Sequence, residues 1–133
     1  MSTSSTFCFG ATFLTPEQKA ALEETASAIA TPGKGITACD EGPGTIGDRF
    51  EVVGIENNDE NRRRYRQMLF EAPGCENYLC AAILDPETLY QRSDSCGKLF
   101  PALLTEKGIV PGVKPHLKVG FSYRHFLRSK LLS

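Results

Sequence analysis

At 133 residues, with 41% hydrophobic and 23% charged residues, the chain is long enough and apolar enough for one ordinary domain with its own core. A formal net charge of −1 argues against nucleic acid or an anionic membrane as the main partner, because both favour a clearly basic surface. No apolar run approaches the roughly 18 residues of a membrane span.

Residues 1–13, "MSTSSTFCFGATF", carry neither a charged n-region nor a long apolar core and are expected to form a flexible lead to an intracellular, cytoplasmic protein. The five cysteines, Cys8, Cys39, Cys75, Cys80 and Cys96, are odd in number and show no C-x-x-C spacing. His116 and His125 stand far from most of them, so free thiols are expected rather than zinc or a disulfide framework, and no metal or cofactor is implied.

"LTPEQKAALEETASAIATPGKG" begins with Thr15 at an N-cap, Pro16 at the first helical position and Gln18 three residues after the cap, which predicts a helix with a capping box. Leu22, Ala26 and Ile29 fall on one face, and Pro32 with Gly33 stops the helix. "GITAC" reads as a short buried strand, followed by a glycine-rich turn and one or two helical turns in "IGDRFEVVGI". Asn57, with Glu60 three residues on, predicts a second helix start through "ENRRRYRQMLF". Its arginines are expected on a solvated face opposite Tyr65, Met68 and Leu69. "YLCAAILD" is continuously apolar and short, which suits a strand covered on both sides. "PETLYQ" and "GKLFPALLTEKG" supply helical material, and "IVPGVK" reads as a third strand ending in Lys114. Helices alternating with strands across connections this long predict an α/β chain with parallel strands. Residues 120–133, "GFSYRHFLRSKLLS", break the rhythm as a basic tail, with an unstructured terminus the expectation.

Gly42, Gly44 and Gly47 spell G-x-G-x-x-G, the pattern of a dinucleotide site. Asp40 and Glu41 stand between strand and turn, where they would repel a pyrophosphate, and Pro43 has no N–H to offer one. The acids about 20 residues on, Asp59 and Glu60, begin a helix instead of ending a second strand. The other reading is a site at strand ends, where Asp40, Asp85 and Lys114 each close a strand and face one cavity, as in a (βα) barrel. There Arg49 would grip a phosphate, with Thr45 adding a hydroxyl. Asx turns or helix caps account equally for Asp40 and better for Asp85, which precedes Pro86.

With these residues in place, the chain resembles the N-terminal third of class I fructose-1,6-bisphosphate aldolase over roughly residues 14–119. The motifs are "PEQK" through "PGKGI", "ACDE" before a turn ending in "DRF", "ENNDENRRRYRQ", "ILDPETLYQ" and "GIVPGVK". The resemblance implies a partial (βα)8 TIM barrel of about the first three units. It also implies a metal-free Schiff-base mechanism that reversibly cleaves fructose 1,6-bisphosphate to dihydroxyacetone phosphate and glyceraldehyde 3-phosphate. It casts Asp40 as a catalytic aspartate that contacts substrate hydroxyls, Arg49 and Thr45 as phosphate ligands, and Lys114 as a substrate-binding lysine. Asp85 receives no role. Gly42 stands where the family usually has serine and Asp48 where it has lysine, changes expected to weaken phosphate binding by about 1–3 kcal/mol. The family's Schiff-base lysine and acid/base glutamate belong to regions that would follow residue 119. Lys114 is not expected to replace that lysine, because an open strand end does little to desolvate its amine. A complete barrel needs about 200 residues or more, so a truncated chain, inactive alone, is expected. The alternative is a non-catalytic fragment that binds a sugar phosphate weakly or associates with other aldolase subunits.

Overall fold

The computed structural model describes residues 14–115. The expected lead at 1–13 and tail at 120–133, with His116 and His125, lie outside the described residues. Helix α1 (Pro16–Ile29) starts on the expected capping box: the Gln18 amide donates to the Thr15 hydroxyl at 3.2 Å, and the Thr15 amide donates to Gln18 Oε1 at 2.9 Å. Its apolar stripe is not covered by the described residues, and Leu22 remains 57% exposed. The helix meets the sheet at its C-terminal end, where the Cys80 thiol donates to Ile29 O at 3.2 Å.

Strands β1 (Gly35–Cys39), β2 (Leu79–Leu84) and β3 (Val110–Val113) form one parallel sheet in the order β1-β2-β3. Helices α2 (Pro43–Val52) and α3 (Asp59–Phe70) lie in the crossover from β1 to β2, and a 3₁₀ turn (Pro86–Tyr90) and α4 (Phe100–Glu106) in that from β2 to β3. This is the α/β architecture expected of the first units of a (βα)8 barrel. β2 is central and Cys80, Ala81, Ala82 and Leu84 are all buried, as its continuous apolar run requires; Ile36 of the outer strand β1 is 52% exposed. The register carries one irregularity: Gly35 pairs with Leu79 and Ile36 with Ala81, so Cys80 is an extra residue in β2. Pairing then runs one to one up to Cys39 with Leu84, and Leu84 pairs with Val113.

The core lies between the sheet and helices α3 and α4. Cys39, Phe70, Ala82, Leu84, Phe100, Leu104 and Ile109 form one buried cluster, in which the Phe70 and Phe100 rings meet edge to face at 5.4 Å between centroids. Cysteines 39, 75, 80 and 96 are free. Burial pushes the Cys39 thiol up, whereas the Lys98 backbone and Ser93 pull that of exposed Cys96 down.

Two expectations for α3 change. Its N-cap is Asn58, whose side chain accepts from the Asn61 amide at 2.9 Å, one residue later than expected. The arginine run is not a solvated face either. Arg62 and Arg63 side chains are each only 11% exposed and that of Arg66 is 3%, leaving Arg64 at the surface with 68%. Arg62 grips Glu87 through two nitrogens, at 2.9 and 2.6 Å, and also pairs with Asp59. Arg63 reaches Glu60, Asp94 and the Arg92 carbonyl. Hydrogen bonds from Arg63 above all, with help from Arg64, hold the Glu60 carboxyl down to about 2. Arg62 and Arg63 thus place their charged ends on Asp59 and Glu60 of their own helix and on Glu87 and Asp94 of the following segment. Among the described residues no helix is long and apolar enough to cross a membrane.

Candidate functional site

Side-chain alternation determines what meets at the C-terminal ends of the strands. Cys39, Ala82 and Leu84 turn toward the helices, so their neighbours Ala38 and Ile83, with Gly112 paired to Ile83, occupy the opposite face. One step further along that face stand Asp40, Asp85 and Lys114. The Lys114 amide donates to Leu84 O at 3.0 Å and extends the β2–β3 ladder to this residue. Lys114 Nζ crosses over β2 to donate to the Asp40 carbonyl at 3.0 Å, with the Asp40 carboxylate at 3.8 Å. Strand ends 1 and 3 are thereby tied by a half-buried cation. Asp85 takes the cap role that its place before Pro86 suggests, accepting from the Glu87 amide at 3.0 Å. Its other oxygen faces the β1–α2 connection, where a Cβ on Gly42 would sit 4.0 Å away.

The glycine pattern belongs to a helix start and not to an open phosphate loop. Gly42 is the N-cap of α2 and provides no side-chain acceptor, which leaves the first-turn amides without a side-chain cap. Gly47 answers to packing: a Cβ there would lie 2.5 Å from Asn57 Nδ2, which itself donates to Pro43 O at 3.0 Å. The segment entering α3 thus lies directly on α2, and the third glycine of the pattern makes room for it.

Thr45 is exposed on the first turn of α2, and Arg49 lies one turn later on the same side. Arg49 Nη1 meets Glu41 Oε1 at 2.7 Å and the Tyr65 hydroxyl at 3.1 Å, with 48% of its side chain exposed. Tyr65 is fixed edge-on against buried Phe50, centroids 5.9 Å apart. On the other side of Glu41 lies Arg66, whose Nη2 donates to the Glu41 carbonyl at 2.6 Å and stands 3.8 Å from its carboxylate. Burial opposes the charge on Glu41, but its backbone hydrogen bond and the two arginines outweigh that and hold its carboxyl below the ordinary range.

The sequence-predicted residues are therefore partly united. Asp40 and Lys114 touch, Arg49 is linked to the same strand end through Glu41, and Thr45 shares the face of Arg49 without bonding to the others among the described residues. Glu41, Tyr65 and Arg66 have no binding or catalytic role in the sequence reading. One signal for Arg66 is present in the chain, since it precedes the core residue Phe70 by four and so shares its helix face. Among the described residues no group of histidine, cysteine and acidic side chains is gathered to hold a metal.

Residues 21–121 match the family model "Fructose-bisphosphate aldolase class-I". The chain is 50% identical over 103 residues to "Fructose-bisphosphate aldolase 1" of Caenorhabditis elegans, a match covering 77% of this chain and 28% of that protein. It is 51% identical over 89 residues to "Fructose-bisphosphate aldolase 4, cytosolic" of Arabidopsis thaliana, covering 67% of this chain and 22% of that one. Among solved structures it is similar to a fructose-bisphosphate aldolase from Plasmodium falciparum, crystallised with TRAP and a small-molecule inhibitor. That similarity has a TM-score of 0.71 at 35% identity and covers 80% of this chain and 32% of that one. The chain thus spans about a quarter of the length of these curated relatives.

Proposed function

The chain belongs to the class-I fructose-bisphosphate aldolase family, and we propose that it carries the strand-1 to strand-3 part of that family's sugar-phosphate site. In the complete activity, fructose 1,6-bisphosphate is cleaved reversibly, through a Schiff base, to dihydroxyacetone phosphate and glyceraldehyde 3-phosphate. The residues present here orient and bind. Asp40, as catalytic aspartate, accepts hydrogen bonds from sugar hydroxyls, and Lys114 donates to them. Arg49 and Thr45, with the first amides of α2, take a phosphate at the adjoining helix start. The observation that carries this reading is the reach of Lys114 Nζ across the sheet to Asp40, 3.0 Å from its carbonyl and 3.8 Å from its carboxylate. It gathers a donor and an acceptor where a barrel presents its substrate. The name of the Arabidopsis relative favours a cytosolic place of work, and association with other aldolase subunits is the accompanying proposal for partners.

Arg49→Ala is expected to weaken binding of fructose 1,6-bisphosphate by the chain about tenfold, the effect of one lost charge-assisted hydrogen bond. Arg64→Ala, at an exposed arginine paired with Glu60, is the control and should leave the affinity unchanged. Equal affinities for Arg49→Ala and the parent in a calorimetric titration would remove Arg49 from the site.

Lys114 is cast as a positioning group and not as the Schiff-base amine, because its Nζ is committed to the Asp40 carbonyl at 3.0 Å and ties strand ends 1 and 3 together. Borohydride added with dihydroxyacetone phosphate is expected to leave Lys114 unmodified, with no cleavage activity from this chain alone. A trapped adduct on Lys114, found by peptide mass mapping, would overturn that assignment.

A further inference from the structure

The Arg49 end of the site contains a cation that is already neutralised and a second, buried cation that is underused. Glu41 spans both, with Oε1 at 2.7 Å from Arg49 and Oε2 at 3.8 Å from Arg66. Arg66 is 2% exposed, and its Nε and Nη1 have no acceptor among the described residues although both atoms are buried. Unused donors of a buried guanidinium are a standing cost, relieved by any acceptor that reaches them. Arg66 is also anchored to the residue it would receive, through its 2.6 Å hydrogen bond to the Glu41 carbonyl. Tyr65 stands between the two guanidinium groups, its hydroxyl on Arg49 and its ring 5.6 Å from the centre of Arg66. A phosphate arriving at Arg49 Nη1 meets the carboxylate that already holds it.

We propose that Glu41 is a transferable counter-ion: with the site empty it neutralises Arg49, and when a phosphate takes Arg49 its carboxylate moves onto the unused donors of Arg66. Each guanidinium then holds one anion, and repulsion between carboxylate and phosphate is avoided without Glu41 losing its charge. Glu41 thereby sets phosphate affinity at this end of the site, because a phosphate that takes Arg49 Nη1 displaces it. The inference rests on the reading of Arg49 as a phosphate ligand.

The test uses the full chain and inorganic phosphate at low salt. Glu41→Gln keeps an acceptor for Arg49 but removes the competing charge, and is expected to tighten phosphate binding about two- to fivefold, the scale of one partly exposed ion pair. In the unsubstituted protein, saturating phosphate should move the Arg66 Nε–H resonance downfield and slow its exchange with solvent. Weaker or unchanged binding by Glu41→Gln, or an Arg66 signal indifferent to phosphate, overturns the transfer. If Arg49→Ala nevertheless weakens phosphate binding, the phosphate reading survives that failure. If Arg49→Ala binds phosphate as the parent does, the reading fails and the transfer with it.

Discussion

Phe100→Ala is expected to lower the unfolding free energy by about 3–5 kcal/mol, read as a fall in the urea midpoint at constant slope. Phe100 is fully buried at the start of α4, and its ring meets Phe70 from the end of α3 while both lie over Ala82 and Leu84 of the central strand. Truncation therefore opens a cavity where two helices and the sheet converge, and neither helix can close it without giving up contacts to β2. Against the roughly 5–15 kcal/mol that holds a small domain together, this is a large fraction. Leu22→Ala on exposed α1 is the companion measurement, with an expected change under about 0.5 kcal/mol. A Phe100→Ala protein within about 1 kcal/mol of the parent would mean that α4 is not packed on the sheet.

Arg62→Ala should cost about 2 kcal/mol, the scale of hydrogen bonds between charged groups that are mostly out of solvent. The Arg62 side chain is 11% exposed and that of Glu87 27%, so the pair is screened less than a surface bridge and its loss strands a half-buried carboxylate. Because Arg62 belongs to α3 and Glu87 to the turn after β2, the bond fastens one crossover to the next. Glu87→Ala and the double variant complete a cycle whose coupling energy isolates the pair. Additive single effects would show that the two residues stabilise the fold separately.

Local signals account for the parts of this fold that were legible. The capping box at Thr15 and Gln18, the apolar run of β2 and the strand-ending acids are all encoded within a few residues. So is the meeting of Asp40 with Lys114, since parallel strands with regular alternation bring equivalent ends together. The shifted helix start reflects two adjacent asparagines with equal capping chemistry. Asn57 is diverted to Pro43 O and to Arg62, which leaves the cap to Asn58. The arginine run departs from a solvated face because charge alone suggests solvent, whereas its partners Glu87, Asp94 and Glu41 come from distant segments. The link from Arg66 through Glu41 to Arg49 has the same origin. It depends on how α3 lies beside the β1–α2 connection, a non-local arrangement for which residue spacing offers no code.

The extra residue in β2 has a bearing on how this architecture withstands change. Below Cys80 the sheet meets the end of α1 and the start of β1, and the single thiol proton there has both Ile29 O and Gly35 O within reach, at 3.2 and 3.3 Å. Above it, pairing proceeds in step to Asp40, Asp85 and Lys114. The bulge is an expansion joint. The extra residue is taken up at one position and is not passed upward as a slip that would turn the polar side chains into the core. The irregularity thus stays at the foot of the sheet, while the upper end keeps the register that brings Lys114 to Asp40.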